Sequence, residues 1–258
     1  MFIHNIDPVI ARIGFLEIRY YSLAYILGFV LAYFIFLYYV KKNKIQNMDR
    51  DKLDNFLIFL IIGTVAGARI GYFFTKEISP FTHLFDIFKV WQGGMSFHGG
   101  LIGIILVTII FCRKYKIRFY DLADILVIPA ALALFLGRIM NFVNGELVGI
   151  KTTVSLCFQF KDYDGCRHPS QIYESLKNLF IFFVLVSLNK KKEKLKSGTL
   201  FWLFILMYGF LRFVVTFLRD DPRIYGLSGG QWLSLLMFTT ALIVLLTMRL
   251  KNVRRKFP

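Results

Sequence analysis

The chain has 258 residues, of which 57% are hydrophobic and 29 are phenylalanine. Soluble domains average about 45–50% apolar residues, and here these residues form long blocks without an amphipathic period, which excludes an ordinary soluble protein. The net charge is +16, but the basic residues crowd at the ends of the apolar blocks. That distribution indicates contact with anionic membrane lipids and excludes nucleic-acid binding.

The apolar blocks predict an all-α, polytopic integral membrane protein with about seven transmembrane helices. A helix rises about 1.5 Å per residue, so about 20 residues cross the hydrocarbon core of a bilayer. The third and fifth blocks are short or interrupted, and the others reach this length. In chain order the blocks are 20–40, 54–75, 96–112, 122–138, 172–189, 199–218 and 231–249.

The connections between the blocks alternate in their content of lysine and arginine. The basic connections and tail are 41–52, 113–118, 190–196 and 249–256, and the poorer ones are 76–95, 139–171 and 219–230. The positive-inside rule then predicts an N-terminus outside and a C-terminus in the cytoplasm. We expect a single transmembrane domain over residues 1–258, with an outer loop at about 139–171.

The segment before the first block lacks a basic region followed by an apolar core, so we expect no cleavable signal peptide. It is interpreted as an outer, interfacial segment. In the outer loop, Cys157 and Cys166 are compatible with a disulfide in an oxidising exterior or with two free thiols. The chain contains no C-x-x-C or H-E-x-x-H pattern, so the sequence predicts no metal site.

Ionisable and polar side chains in or near the blocks are candidates for function. The predicted topology places most of them in the outer half of the membrane, and only Asp124 on the cytoplasmic side. The outer group comprises Tyr21, Arg69, His98, Arg138, Glu174 and Arg212.

Two arginines in this group have a polar neighbour on the same helix face. In "GRIMNFVNGELVG", Arg138 and Asn141 are three residues apart, and in "YGFLRF", Tyr208 and Arg212 are four apart. A guanidinium at this depth needs an anion, either a carboxylate or a phosphate. Because few acidic residues lie in the outer half, the phosphate of a phospholipid headgroup fits two such arginines better than two separate salt bridges.

Other motifs have structural explanations as well as functional ones. "GGMSFHGGLIG" places His98 among glycines at a helix start, where a histidine is more often structural than catalytic. In "RHPSQIYE", Pro169 begins a helix that Ser170 or His168 is available to cap, and His168 is also a possible headgroup contact. The spacing of the glycines in the second block predicts close helix packing; they are Gly63, Gly67 and Gly71.

Two other classes of membrane protein fit the sequence less well. A transporter or lipid scramblase needs polar groups across the whole membrane depth and broken helices in two related halves, and no clear repeat is present. An intramembrane protease or metal-dependent lipid hydrolase needs a serine–base pair or a set of metal ligands. The spacing of His98 and His168 does not support such a ligand set.

Six motifs in order resemble those of the bacterial prolipoprotein diacylglyceryl transferases: "RYYSLAYILGF", "GGMSFHGGLIG", "GRIMNFVNGELVG", "RHPSQIYE", "YGFLRF" and "GLSGGQWLS". They extend from residue 19 to about residue 234. The resemblance implies transfer of a diacylglyceryl group from phosphatidylglycerol to the lipobox cysteine of a prolipoprotein signal peptide. It further implies a thioether product, release of glycerol 1-phosphate, and the first step of lipoprotein maturation. No cofactor is implied, and the location is the outer face of the bacterial cytoplasmic (inner) membrane.

The resemblance also implies roles for individual residues. Arg138 and Arg212 are expected to bind and stabilise the phosphate, and His98 to act as base or proton relay. The remaining matched positions are expected to bind or orient the substrates, with the last two the weaker candidates: Tyr21, Asn141, Glu146, Gly149, Tyr208, His168 and Arg69.

Three positions depart from the family pattern. Met140 stands where glycine is common, Thr216 where glutamate is common four residues after Arg212, and Ile150 where arginine is common. If the missing carboxylate normally orients Arg212, another group must do so here. Glu146 and Glu174 are the candidates.

Overall fold

The structure is a computed structural model that describes residues 2–14, 16–75, 88–89, 93–191 and 195–256. Within these residues it has seven helices that are long and apolar enough to cross a membrane. The prediction of an all-α, polytopic membrane protein is therefore confirmed. The helices are α1 (Tyr20–Lys41), α2 (Arg50–Thr75), α3 (Phe97–Lys114), α4 (Phe119–Val143), α5 (Ser170–Asn189), α6 (Thr199–Val215) and α7 (Gly229–Lys256).

Several helices extend beyond the predicted apolar blocks. α2 begins at Arg50 rather than at residue 54, and α4 continues to Val143, so the first residues of the expected loop at 139–171 are helical. The reason is that hydropathy reports the lipid-facing part of a helix, whereas backbone hydrogen bonding continues into the aqueous layer. Asp49 accepts hydrogen bonds from the Lys52 backbone nitrogen (2.8 Å) and the Lys52 ammonium (2.6 Å). The bond from the Lys52 side chain lowers the pKa of Asp49 below its ordinary value.

Short strands lie between the helices. β1 (Phe2–Ile3) pairs in parallel with β4 (Phe158–Gln159), while β2 (Val9–Ile13) and β3 (Leu16–Arg19) form an antiparallel hairpin directly before α1. A second small hairpin precedes α7 and consists of β5 (Arg223–Ile224) and β6 (Leu227–Ser228). The segment predicted to precede the first span thus contains strand β1, which pairs with a strand of the α4–α5 loop, and a separate β hairpin.

The contacts divide the chain into two compact units, Tyr33–Leu122 and the combination of Met1–Ala32 with Ala123–Pro258. The expected single domain over residues 1–258 stays a prediction. In the unit Tyr33–Leu122, α2 and α3 pack backbone against backbone. A Cβ added to Gly71 would lie 2.7 Å from the Gly99 Cα, and one added to Gly67 would overlap the Gly99 carbonyl oxygen. The close packing predicted from the glycine spacing of α2 is confirmed.

The other unit contains α4, α5, α6 and α7. Asp124 near the start of α4 accepts hydrogen bonds from the backbone nitrogens of Gly198 (2.9 Å) and Phe201 (2.8 Å), and so satisfies the beginning of α6. α6 packs closely on α7, since a Cβ on Gly209 would lie 2.8 Å from the Ser234 carbonyl oxygen. These contacts hold α4 and α7 against α6.

Candidate active site

A group of polar side chains joins α4, α5 and α6 within the unit that contains all three helices. We call it the polar cluster, and it consists of Arg138, Asn141, Glu146, Glu174, Lys177, Tyr208 and Arg212. Except for Glu146, these side chains are buried or half-buried. Helical spacing predicted two pairs that share a helix face, Arg138 with Asn141 and Tyr208 with Arg212. In the structure, side chains of α5 lie between these two pairs.

The α4 part of the polar cluster is a chain of hydrogen bonds. Arg138 Nη1 donates to Asn141 Oδ1 (3.3 Å), and Asn141 Nδ2 donates to Glu146 Oε1 (2.7 Å). Asn144 Nδ2 reaches the same carboxylate oxygen at 3.3 Å. Glu146 therefore orients Asn141, and Asn141 in turn orients the guanidinium of Arg138.

The start of α5 holds the loop that carries Glu146. Gln171 Nε2 donates to the Glu146 carbonyl oxygen (2.7 Å), and Ser170 Oγ donates to the Leu147 carbonyl oxygen (2.8 Å). Leu147 itself has a positive φ of 56°, a conformation rarely adopted by side-chain-bearing residues. The expectation that Ser170 or His168 caps α5 is wrong, because α5 has no side-chain cap and Ser170 binds the loop instead.

α5 places a buried carboxylate in the centre of the polar cluster. Glu174 is 1% exposed, and its Oε2 accepts a hydrogen bond from Lys177 Nζ at 2.6 Å. The same oxygen lies 3.9 Å from Arg138 Nε. Arg138 is thus the arginine nearer to Glu174. Arg212, for which Glu174 was one expected substitute partner, is attracted to this carboxylate only over a longer distance. Lys177, at 3% side-chain exposure, was missed by the sequence reasoning, although its position one turn after Glu174 inside a predicted span was a usable signal.

α6 contributes the second arginine. Arg212 Nη1 donates to the Tyr208 hydroxyl (3.1 Å), and the ring of Tyr208 lies 4.2 Å from Lys177 Nζ. Thr216, which replaces the common glutamate, donates its hydroxyl hydrogen to the Arg212 carbonyl oxygen at 2.6 Å. This short side chain therefore bonds the helix backbone. The Arg212 guanidinium is oriented by Tyr208.

Gly149 and His168 lie in the loops beside the helix ends. A Cβ on Gly149 would be 2.6 Å from the carbonyl oxygens of both His168 and Leu218, so only glycine fits. The Gly149 carbonyl oxygen accepts a hydrogen bond from Arg167 Nη1 (3.2 Å). The His168 Nδ1 atom lies 3.2 Å from the Tyr173 hydroxyl.

A disulfide between Cys157 and Cys166 closes part of the α4–α5 loop; the sequence was equally compatible with a disulfide and with free thiols. The N-terminal strand is held against this loop. The ring of His4 packs on Phe142 (centroids 5.1 Å apart) and Phe160 (5.0 Å). The disulfide and the N-terminal strand together fix the loop next to the end of α4.

Arg69 and His98 belong to the unit Tyr33–Leu122. The Arg69 guanidinium is buried and donates to the carbonyl oxygens of Gly93, Gly94 (3.1 Å) and Lys89 (3.1 Å), which anchors the segment before α3. His98 is exposed in the first turn of α3. Tyr21, half-buried in the first turn of α1, belongs to the unit that carries the polar cluster.

Among the described residues, no group of three or more His, Cys, Asp or Glu side chains could hold a metal ion. The chemical character of the polar cluster is cationic, because Arg138, Lys177 and Arg212 surround the single buried carboxylate of Glu174. Such an arrangement suits an anionic group that approaches from the lipid or the water layer.

Comparison with known proteins gives one consistent result. The family model for prolipoprotein diacylglyceryl transferase matches residues 8–247. A phosphatidylglycerol–prolipoprotein diacylglyceryl transferase of Geobacter sulfurreducens is 41% identical, with 98% of this chain and 97% of the relative covered. Proteins of the same name from Ehrlichia ruminantium (strain Gardel; 37% identical, 96% and 99% covered) and Bordetella avium (38%, 92% and 93%) are also similar. The chain therefore belongs to the prolipoprotein diacylglyceryl transferase family.

Proposed function

We propose that this chain transfers the diacylglyceryl group of phosphatidylglycerol to the thiol of a lipobox cysteine in a prolipoprotein signal peptide. The products are a thioether-linked diacylglyceryl protein and glycerol 1-phosphate, and the reaction is the first step of lipoprotein maturation. Family membership and the substrates in the names of the relatives support the reaction. The observation that carries the proposal is the polar cluster, in which Arg138 of α4 lies 3.9 Å from the Glu174 carboxylate and Arg212 of α6 is hydrogen-bonded to Tyr208.

The phosphate is the group that Arg138 and Arg212 are proposed to bind. A guanidinium has five N–H donors and does not lose its charge. In the structure Arg138 Nη1 donates to Asn141 and Arg212 Nη1 to Tyr208, which leaves further donors on each for phosphate oxygens. As the ester bond breaks, charge grows on the departing phosphate, and these donors stabilise it.

The second substrate supplies the nucleophile. A cysteine thiol has a pKa near 8.5, so a base is needed to form the thiolate at neutral pH. The thiolate attacks the carbon of the diacylglyceryl unit that bears the phosphate ester. The carbon–sulfur bond forms, the carbon–oxygen bond breaks, and glycerol phosphate leaves with the electron pair. His98 is the proposed acceptor of the thiol proton.

The remaining residues are proposed to position these groups. Asn141 and Glu146 orient Arg138, and Tyr208 orients Arg212, through the hydrogen bonds described above. Tyr21 is proposed to contact the headgroup with its side chain. Gly149 is proposed to belong to the substrate site as a position where the backbone must approach its neighbours closely. His168 and Arg69 are weaker proposals for the same role.

We further propose that the chain lies in the bacterial inner membrane with its N-terminus outside and its C-terminus in the cytoplasm. Lys41 ends α1, while Arg113 and Lys114 end α3, which puts basic residues at the proposed cytoplasmic side. The Cys157–Cys166 disulfide requires an oxidising compartment and supports an outer location for the opposite side.

The decisive experiment uses purified protein in detergent with phosphatidylglycerol and a lipobox peptide, without added metal or nucleotide. We expect a peptide product heavier by one diacylglyceryl group, together with an equal amount of glycerol 1-phosphate, by mass spectrometry. A peptide with serine in place of cysteine is the control and should remain unmodified. Folded protein that gives no product, but moves lipid between leaflets of a vesicle, would instead support a scramblase.

A further inference from the structure

Lys177 is a buried cation to which neither the sequence motifs nor the proposed reaction assigns a role. It lies on α5 with 3% side-chain exposure, and its ammonium is 2.6 Å from Glu174 Oε2 and 4.2 Å from the ring centroid of Tyr208. A charged amine at this depth is costly unless it is paired. Lys177 is therefore held in place by the carboxylate on one side and by the aromatic face on the other.

Two of the cations around Glu174 lie within 4 Å of it, at unequal distances. Its Oε2 atom is 2.6 Å from Lys177 Nζ and 3.9 Å from Arg138 Nε. Coulomb attraction falls with distance, and only the shorter contact is a hydrogen bond. The second carboxylate oxygen, Oε1, is buried without a hydrogen-bond partner. Glu174 could thus form a two-oxygen contact with a guanidinium, but in the structure it is held by the ammonium.

We propose that Lys177 is a positioning residue that neutralises Glu174 and so keeps Arg138 available for a phosphate group. Without the lysine, Glu174 would remain a buried anion with Arg138 as the nearest described cation. A carboxylate and a guanidinium readily form two parallel hydrogen bonds. Arg138 would then be occupied by Glu174, and a lipid phosphate would have to displace that carboxylate in order to bind.

This inference rests on the proposed function for the identity of the anion, which is the phosphate of a phospholipid. It differs from a direct role in which Lys177 itself binds phosphate. In a direct role, removal of Glu174 as well as Lys177 would not restore binding. In the role proposed here, removal of the carboxylate releases Arg138 and restores binding.

The test compares Lys177→Met, Glu174→Gln and the double variant with wild-type protein. Binding of phosphatidylglycerol and of uncharged diacylglycerol to detergent-purified protein is measured by native mass spectrometry, next to transferase turnover. We expect Lys177→Met to weaken phosphatidylglycerol binding by about tenfold or more, as expected for a charge contact in a low-dielectric site. Diacylglycerol binding should be unchanged. Lys190→Met, on an exposed lysine at the end of α5, is the matched control.

Phosphatidylglycerol binding by the double variant is the decisive measurement. We expect it to bind phosphatidylglycerol about fivefold or more tightly than Lys177→Met, because no buried carboxylate then competes for Arg138. A double variant that binds as weakly as Lys177→Met overturns the proposal. So does a parallel loss of diacylglycerol binding in Lys177→Met, which would indicate a general packing defect. If Lys177→Met does not fold, Lys177→Gln replaces it, since glutamine can donate a neutral hydrogen bond to Glu174.

The lipid-binding measurement also separates this inference from the proposed function. A wild-type protein that binds phosphatidylglycerol but forms no diacylglyceryl peptide contradicts the proposed reaction. The four binding constants still decide the role of Lys177. Conversely, if the wild-type protein is an active transferase and Lys177→Met binds phosphatidylglycerol as tightly as it does, the proposed function stands and the proposed role of Lys177 is contradicted.

Discussion

The two units solve the problem of helix contact in a membrane by different means. In the unit Tyr33–Leu122, α2 and α3 meet through glycine backbones, with Gly67 directly against Gly99. In the other unit, α4, α5 and α6 meet through buried charges, with Glu174 next to Lys177 and Arg138. Lipid supplies no hydrophobic drive for helices to associate, so close packing and polar contacts are the available solutions.

The comparison indicates which substitutions are tolerated at the contact between α2 and α3 and in the polar cluster. The glycine junction, formed by Gly67 and Gly71 of α2 with Gly99 of α3, depends on volume, because a single added methyl group would overlap the facing backbone. The polar cluster depends on charge, and a change that preserves volume is sufficient to alter it. We therefore expect damage to the glycine junction to act on stability, and damage to the polar cluster to act on catalysis.

The largest expected effect is on the polar cluster. Arg212→Gln should lower the rate of diacylglyceryl transfer by about a hundredfold or more, because removal of one charge-stabilising donor from a transition state costs about that much. Turnover of phosphatidylglycerol with a lipobox peptide measures the effect. Arg113→Gln, at an exposed arginine in the last turn of α3, is the control and should keep its rate. An Arg212→Gln variant with wild-type turnover would remove Arg212 from the phosphate site.

An intermediate effect is expected at the glycine junction. Gly67→Ala places a Cβ into the Gly99 carbonyl oxygen and should destabilise the protein by about 1–3 kcal/mol, the usual cost of overpacking. Gly137→Ala is the matched control, since a Cβ there meets nothing within 4 Å, and helix propensity favours alanine by up to about 1 kcal/mol. Thermal unfolding in detergent compares the two variants. Equal melting temperatures would show that α2 and α3 do not depend on backbone contact.

The smallest effect concerns an ion pair outside the helices. Lys151 Nζ lies 2.6 Å from Asp164 Oδ2, and this hydrogen bond lowers the pKa of the exposed Asp164 carboxyl. Because the folded-state pKa is the lower one, the stabilisation is present above the unfolded carboxyl pKa of about 4. It is lost as the pH falls through the folded-state pKa.

We therefore expect Lys151→Met to lower the melting temperature slightly at neutral pH, and the two proteins to converge in acid. Scanning calorimetry at several pH values would detect the difference. A gap of constant size from neutral pH down to below the pKa of Asp164 would contradict the ion-pair explanation, because a protonated carboxyl cannot form the pair.

The helices could be predicted because the length of each apolar block determines whether it spans a bilayer. The predicted ends were wrong at the start of α2, where charged residues from Arg50 onward are helical, and at the end of α4, where the helix continues beyond Arg138 to Val143. The β hairpin before α1 was not foreseen. Its strands pair Val9 with Arg19 and their neighbours. Apolar and charged residues alternate in β3, but β2 is almost wholly apolar and shows no such alternation.

The polar cluster was predicted in part. Pairs on one helix, such as Arg138 with Asn141, follow from the helical period alone. Contacts between helices do not, so Glu174 was assigned no definite partner and Lys177 was overlooked inside an apolar block. The consequence of Thr216 was also open. In the structure the Thr216 hydroxyl donates a hydrogen bond to the Arg212 carbonyl oxygen.

The disulfide has a consequence for an enzyme that is proposed to alkylate thiols. Cys157 and Cys166 sit in the loop that connects α4 and α5, the two helices that carry Arg138 and Glu174. As free thiols they would be nucleophiles of the same chemical kind as the substrate cysteine. Joined to each other, they have no thiolate to offer. Cys112, the free cysteine of the chain, is buried. The disulfide thus leaves no thiol in the α4–α5 loop that could react in place of a substrate cysteine.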